Sequence, residues 1–178
     1  IPILSVGIVI SFLLAYINSL NTLISADQLT GLNNRRTLFS YISSKAENIR
    51  PNEKLYFLFI DVDSFKQIND TYGHNEGDRA LKIIAEVLSS LPEKTGGFCA
   101  RYGGDEFAVV QVLSGKEDIR KLIGEIKKNV TEKNEKSDMA YSLNVSIGYS
   151  SLKSGDKDWQ DLIYRADKEM YYEKRKKE

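Results

Sequence analysis

Residues 101–107 read RYGGDEF, and this stretch decides how the rest of the chain is interpreted. The glycine pair at 103–104 separates two short apolar runs, which predicts a tight β-hairpin with the glycines at its tip. Asp105 and Glu106 follow directly, and neighbouring carboxylates repel each other unless a cation satisfies them. Glycines, which lack Cβ atoms, also let a bulky anion approach the backbone. On its own the stretch is compatible with a metal-phosphate site and with an ordinary solvated turn.

A second acidic strand end lies upstream and favours the metal site. Residues 55–62 (LYFLFIDV) form an apolar run that is too short for a typical helix and predicts a central strand. Alternation along this strand puts Asp61 and Asp63 on one face and Val62 on the other. If this strand end and the hairpin meet at one edge of a sheet, their carboxylates converge. Such hard oxygen ligands suit Mg²⁺ or Mn²⁺, which bind through a few carboxylates together with substrate phosphates.

The polar segment that follows this strand offers groups for a nucleotide. Residues 64–79 read SFKQINDTYGHNEGDR, in which Asn and Asp side chains supply both donors and acceptors for the edge of a nucleobase. Lys66 would neutralise charge that develops on phosphate. Gly73 and Gly77 interrupt the segment, and a solvated loop is the alternative interpretation. Two metal ions about 3.5–4 Å apart hold both oxygens of an in-line displacement at phosphorus, so the residues indicate metal-dependent nucleotidyl transfer.

The N-terminal residues differ in character from the rest. No charged residue occurs in 1–26, and residues 1–17 are almost wholly apolar. This predicts the end of a transmembrane helix, which needs about 20 such residues, and a buried core helix is the alternative. Spacing typical of a heptad seam follows, at Leu13, Ile17, Leu20 and Ile24. The seam predicts pairing with a second copy of the helix, and a plain amphipathic linker is the alternative.

Composition excludes several classes of function. Lys and Arg number 25, against 25 Asp and Glu, so no broad basic field predicts binding to a nucleic-acid polymer. The single cysteine, Cys99, lies in an apolar run, which indicates a reducing compartment and excludes disulfide and zinc sites. The length of 178 residues accommodates one domain and an appendage. Because the first residue is Ile1, we expect a piece of a longer protein whose upstream part is missing.

The remaining periodicity predicts an α+β fold. Amphipathic helices are predicted at residues 37–49, 80–91, 119–130 and 159–174, and a further strand at 141–150. Runs of helices against a hairpin-containing sheet fit a ferredoxin-like sandwich of the split βαβ kind better than a doubly wound sheet. We therefore expect a mainly antiparallel sheet with helices packed on it. The expected domains are residues 1–25, a membrane and linker helix, and residues 26–178.

Several motifs, taken in order, resemble the GGDEF-domain diguanylate cyclases over roughly residues 26–174. They are DQLTGLNNRR at 27–36, FIDVDSFKQIND at 59–70, GGDEF at 103–107, NVSIGYS at 144–150 and ADKEMYYEKRK at 166–176. The resemblance implies a nucleotidyl-cyclase palm and the condensation of two GTP into cyclic di-GMP with release of two pyrophosphates. It also implies two Mg²⁺ or Mn²⁺ ions per active site. Each subunit would bind one GTP, so turnover would require a homodimer.

The resemblance also assigns roles to individual residues. The implied metal ligands are Asp61, the carbonyl of Val62, Asp105 and Glu106. The implied catalytic residues are Asp105 as proton acceptor, Glu106 beside it and Lys66 at the transition state. The implied GTP contacts are Phe65, Asn69, His74, Asp78, Gly103, Gly104 and Lys174.

Two departures from the family pattern limit the residue roles that the resemblance implies. The Arg-x-x-Asp of product-inhibited members is replaced by KTGG at residues 94–97, which implies that the primary inhibitory site is absent. The usual Gly-Arg-Asn after the last helix is missing, and Lys176 or Lys177 would have to replace its phosphate contact. The implied location is the bacterial inner membrane, with the catalytic domain in the cytoplasm. The alternative function is a catalytically silent module that binds GTP or a partner.

Overall fold

The computed structural model describes residues 7–14, 16–17, 25–91, 96–114, 118–153, 156 and 158–177. Within them, one sheet carries helices on both faces. The strands are β1 (Asn33–Asn34), β2 (Glu53–Val62), β3 (Phe98–Gly103), β4 (Glu106–Ser114) and β5 (Val145–Ser151). The helices are α1 (Arg35–Glu47), α2 (Phe65–Tyr72), α3 (His74–Ser89), α4 (Ile119–Glu135) and α5 (Trp159–Arg175).

The sheet is mixed, with the strand order β1-β3-β4-β2-β5. The pairings β3–β4, β4–β2 and β2–β5 are antiparallel, whereas β1 runs parallel to β3 at the edge. The prediction of a mainly antiparallel sheet is therefore confirmed, and β2 lies inside it as expected. The short strand β1 was not predicted, because two asparagines carry no strand signal of their own and pair only through the fold.

Alternate side chains of β2 enter two separate cores. Phe57 and Phe59 pack with α1 and α5, while Leu58 and Ile60 pack with α2, α3 and α4. A strand that is buried on both faces is apolar throughout, which accounts for the unbroken run from residue 55 to residue 60. Asp61 continues the alternation on the α1 and α5 side. The Asp61 carboxylate, near the end of β2, therefore faces α5.

Helix α5 lies directly on β5 at a glycine. A Cβ atom at Gly148 would collide with the backbone of Met170 and of Ala166, so only glycine allows this approach. Ser150 Oγ reinforces the contact by donating a 2.5 Å hydrogen bond to the carbonyl of Leu162. This close packing fixes where the end of α5 lies relative to the end of β2.

The segment at residues 64–79 is helical, so the loop interpretation was wrong. Helix α2 buries Ile68 and ends at Gly73, whose φ of 88° turns the chain directly into α3. Gly77 does not break α3, which begins at His74, before the residue-80 start that was predicted. The strand predicted from residue 141 begins at Val145. The other predicted helices are confirmed, with shifts at their ends.

Residues 7–14 and 16–17 are helical and expose their large apolar side chains, Phe12 to 73%. Among the described residues, no helix combines the length and the apolar character needed to cross a membrane. Part of the predicted transmembrane segment (residues 1–6 and 15) and two positions of the heptad seam (Leu20 and Ile24) lie outside the described residues. The boundary between residues 25 and 26 stays a prediction.

Candidate active site

The hairpin turn consists of Gly104 and Asp105, one residue later than the predicted Gly-Gly tip. Gly103 pairs with Glu106 across the turn, after a register shift between Arg101 and Gly103. Gly104 has a φ of 55°, a left-handed conformation that favours glycine. As a result Asp105 lies in the turn itself, and Glu106 is the first residue of β4.

Asp61 lies directly opposite Glu106 in the register of β2 and β4. Asp61 is 7% exposed, and the N–H of Val62 holds the turn in place through a 3.3 Å hydrogen bond to the carbonyl of Asp105. Burial raises the pKa of Asp61, and the charge of Asp105 adds to this against the opposing hydrogen bond from Lys174. Burial and the charges of Asp105 and Asp61 also raise the pKa of Glu106. The three carboxylates therefore form one negatively charged site.

Lys174, in the last turn of α5, and Lys177, two residues beyond the helix, contact the carboxylates at the end of β2. Lys174 Nζ donates to Asp61 Oδ1 at 2.6 Å, and Lys177 Nζ donates to Asp63 Oδ2 at 2.8 Å. Asp63 also accepts a 2.6 Å hydrogen bond from Ser146. Both acids thus face α5, as the alternation predicted, although Asp63 follows β2 and does not lie in it. Lys174 contacts a carboxylate in this structure, whereas the resemblance directed it to phosphate.

The donor set suits a hard divalent cation that arrives with its substrate. No group of three or more His, Cys, Asp or Glu side chains is arranged to hold a metal ion in the part of the chain that the structure describes. Mg²⁺ does not need such a cage, because one or two carboxylates and the substrate phosphates commonly hold it. Asp61 and Glu106 provide that pair, and burial together with the neighbouring carboxylates raises the pKa of both. The residues present therefore fit Mg²⁺ or Mn²⁺.

The residues assigned to the nucleobase meet where α2 crosses α3. A Cβ atom at Gly77 would collide with the side chain of Asn69 and lie 3.3 Å from the ring of Phe65. Asp78 is the next residue of α3 and is exposed there. The structure therefore brings Phe65 and Asn69 beside the backbone that carries Asp78.

Two other predicted residues lie on the same two helices. Lys66 on α2 and His74 at the start of α3 are exposed, and the described contacts join neither of them to the carboxylates.

Ser64, between β2 and α2, has a φ of 56° and is the one non-glycine residue with positive φ among those described. Such strain collects at functional turns, and the backbone N–H groups at the start of a helix favour an anion. The turn therefore joins the carboxylate pair to the nucleobase side.

An ion pair that the sequence alone did not reveal connects the signature turn to the beginning of the domain. Arg101 donates to the carbonyl of Gly104 at 2.8 Å and to Asp27 at 3.1 Å. Asp27 also accepts hydrogen bonds from the backbone and hydroxyl of Thr30. Burial opposes ionisation of Asp27, but the bonds from Thr30 and Arg101 outweigh it and lower its pKa. No local signal in the sequence indicates this pair, because 74 positions separate Asp27 from Arg101.

Ser146 is a site residue without a role assigned from the sequence, and Lys177 is one of the two candidates for the missing C-terminal contact. Ser146 is fully buried opposite Asp61 on β5, and no local signal identified it, because β5 also contains Ser150 and Ser151. Lys177 also donates to the carbonyl of Val145 at 2.8 Å. Lys176 is exposed beyond the end of α5. Of the two replacement candidates, only Lys177 lies at the site.

Lys94 and Thr95 of the missing inhibitory motif lie outside the described residues.

Comparison with known proteins agrees with the motifs and the geometry. Residues 24–178 match the family described as diguanylate cyclase, GGDEF domain. Diguanylate cyclase DgcP of Escherichia coli is 36% identical over 154 residues, covering 85% of this chain and 45% of the relative. Diguanylate cyclase DosC of the same species is 35% identical over 158 residues, covering 86% of this chain and 34% of the relative. The chain thus spans less than half the length of these relatives.

Solved structures of similar fold lead to the same family. The coiled coil and GGDEF domain of DgcB from Caulobacter crescentus, solved in complex with c-di-GMP, gives a TM-score of 0.77 at 25% identity, covering 97% of this chain and 92% of that one. Diguanylate cyclase SiaD from Pseudomonas aeruginosa, solved with its activator SiaC, gives a TM-score of 0.77 at 28% identity. The match covers 97% of this chain and 68% of SiaD. The expected cyclase-palm fold is therefore confirmed. The chain belongs to the GGDEF-domain diguanylate cyclase family.

Proposed function

We propose that this chain condenses two GTP molecules into cyclic di-GMP and releases two pyrophosphates. The observation that carries the proposal is the placement of Asp61 opposite Glu106, with Asp105 in the adjoining turn and Lys174 bonded to Asp61. A partly buried cluster of like charges is unfavourable for the fold, and such clusters are typical of sites that bind a cation and phosphates. The family supplies the reaction for which this arrangement is suited.

In the proposed reaction the 3′-hydroxyl oxygen of one GTP bonds to the α-phosphorus of the other. The bond from that phosphorus to the oxygen shared with the β-phosphate breaks, and pyrophosphate leaves with the electron pair. Asp105 accepts the proton of the hydroxyl. Asn69 and Asp78 hold the edge of the guanine, while Lys66 and Lys174 balance the phosphate charge. A repeat of the transfer with the roles exchanged closes the ring.

Binding GTP in this way requires Lys174 to exchange Asp61 for a phosphate oxygen. Asp61, the carbonyl of Val62, Asp105 and Glu106 would then hold Mg²⁺ or Mn²⁺, two per site. The bound ions would activate the attacking hydroxyl and stabilise charge on the phosphoryl group. Arg101 keeps the turn that carries Asp105 in place through its bond to Gly104.

We also propose a homodimer in the bacterial inner membrane, with the catalytic domain in the cytoplasm and a sensor upstream. Each chain would hold one GTP, so two sites must face each other for the transfer. The exposed apolar side chains on residues 7–17, such as Phe12 and Val9 at 64%, provide a surface that a second helix or a bilayer would cover. Recovery of the full chain in the membrane fraction tests the anchor.

The decisive experiment is incubation of the dimerised protein with GTP and Mg²⁺, followed by quantification of cyclic di-GMP and pyrophosphate. We expect one pyrophosphate per GTP consumed. The Asp105→Asn variant should still bind GTP but lose the product. If wild-type protein binds GTP and forms no cyclic di-GMP, the proposal is wrong and the chain is a silent nucleotide-binding module.

A further inference from the structure

A cavity of about 430 Å³ opens beside Glu106 on the face of the sheet that α1 and α5 cover. It is separate from the α2–α3 crossing, where the proposed function puts the substrate guanine. Its aromatic walls include Phe39, Tyr102 and Trp159, and its charged groups are Arg35, Glu106 and Asp167. Sites for small molecules commonly have volumes of about 300–1,000 Å³, with apolar walls and a few convergent polar groups. The cavity meets this description.

The aromatic walls are suited to a flat ring system. Phe39 packs against Trp159 with a centroid distance of 4.9 Å and against Tyr102 at 5.9 Å. Nucleobases stack on such side chains because every base has a π-face. Trp159 is only partly buried, so its ring retains surface for a ligand. Stacking on these walls does not distinguish one base from another. Any selectivity between bases therefore comes from the charged groups.

The charged groups match guanine better than the other bases. The guanidinium of Arg35 lies 4.3 Å from the centre of the Tyr102 ring, as in a cation–π contact. A cationic ligand therefore has no free place on this ring. Its guanidinium has donors for the O6 and N7 acceptors of guanine. Glu106 and Asp167 are acceptors, and the opposite edge of guanine carries N–H donors. Adenine has an amino donor next to N7, and Arg35 would face that donor unfavourably.

We propose that this cavity binds the guanine base of a second guanine nucleotide, distinct from the substrate at the α2–α3 crossing. Arg35 contacts the acceptor edge of the base, Asp167 and Glu106 accept from the donor edge, and Trp159 covers one of its faces. Glu106 borders both this cavity and the carboxylate cluster. The second nucleotide therefore reaches a residue that the proposed function uses in catalysis.

Trp159 is the only tryptophan in the sequence, so its fluorescence reports directly on this cavity. The experiment titrates GMP into the full chain in EDTA, which removes divalent cations. We expect saturable quenching by GMP and binding of AMP about tenfold weaker. Asp167→Asn and Arg35→Met should each weaken GMP binding by about tenfold. Both residues are exposed, and unchanged circular dichroism confirms that the variants fold.

Asn69→Ala is the control, because it alters the α2–α3 crossing and leaves the cavity intact. GMP quenching should persist in this variant. The proposal is overturned if quenching disappears in Asn69→Ala, if AMP binds as tightly as GMP, or if no saturable quenching occurs. The readout does not depend on catalysis: a chain that forms no cyclic di-GMP but shows the expected quenching would refute the proposed function and support this site.

Discussion

Lys174 donates a 2.6 Å hydrogen bond to Asp61, joining the end of the last helix to the end of β2, 113 positions earlier in the chain. Burial opposes a charge on Lys174, but this bond and the charges of Asp61, Asp105 and Asp63 outweigh burial and raise its pKa. Lys174 is therefore charged throughout the physiological range, and it is the cation that the carboxylate cluster contacts most closely in this structure. If the chain binds GTP as proposed, the same ammonium group would be available to a phosphate.

Replacing Lys174 by Met should weaken GTP binding by about 10–100-fold, since hydrogen bonds to charged groups contribute about 1.5–3 kcal/mol. Isothermal titration calorimetry with GTP and Mg²⁺ measures the effect. Lys174→Arg, which keeps the charge, should retain more affinity than Lys174→Met. Lys168→Met, which removes an exposed lysine from the same helix, is the control and should bind normally. Equal affinity of Lys174→Met and wild type would exclude a role for Lys174 in binding.

Lys177 should be the C-terminal residue that substitutes for the missing family contact. It bonds to Asp63, to Ser146 and to the carbonyl of Val145, whereas the described contacts join the Lys176 side chain to none of these groups. Lys177→Met should raise the KM for GTP by about tenfold, the cost of one charged contact. Lys176→Met is the matched control, because it removes the same charge from the neighbouring position. Similar KM values for the two variants would show that only the overall charge of the tail matters.

The sequence was sufficient to predict the carboxylates but not their partners. Alternation along a strand is local, so Asp61 and Asp63 were correctly expected to share a face. The opposition of Asp61 to Glu106 depends on the register between β2 and β4, two strands that no hairpin turn joins and whose pairing is set by tertiary packing. A shift of one residue reverses every side chain of a strand, so the position of Glu106 required the structure.

The contacts of the lysines could not be predicted because they depend on tertiary packing. Lys174 reaches Asp61 only because α5 lies on β5 at Gly148, where a side chain would collide with the helix backbone. Helix α2 was missed for a related reason. Its polar sequence has few apolar positions, and the helix is stabilised by burying Ile68 and by close contact with α3 at Gly77. Packing overrides weak local propensity in both cases.

Gly77→Ala tests the α2–α3 crossing as a substrate site. The added Cβ collides with the end of the Asn69 side chain, which is flexible enough to move, so the protein should fold. Displacing Asn69 should raise the KM for GTP by about tenfold and change kcat much less, because the lost contact is to the base and not to the reacting phosphorus.

Gly124→Ala is the matched control for Gly77→Ala. It is also a glycine in a helix, but a Cβ atom there meets nothing within 4 Å. The variant should leave KM unchanged and raise the free energy of unfolding by up to about 1 kcal/mol through helix propensity. If Gly77→Ala also leaves KM unchanged, Asn69 does not contact GTP.

Asp27→Asn should lower the free energy of unfolding at pH 7 by about 1–2 kcal/mol, because it weakens the ion pair with Arg101 that holds the signature turn. Since folding lowers the pKa of Asp27, its stabilisation is complete above the unfolded value of about 3.9 and is lost as the pH falls through the folded value. Urea unfolding of wild type and variant should therefore differ at pH 7 and converge in acid. Glu135→Gln, at an exposed carboxylate, is the control and should show no such convergence. A difference that persists unchanged in acid would mean that the amide disturbs packing and that the charge of Asp27 contributes nothing.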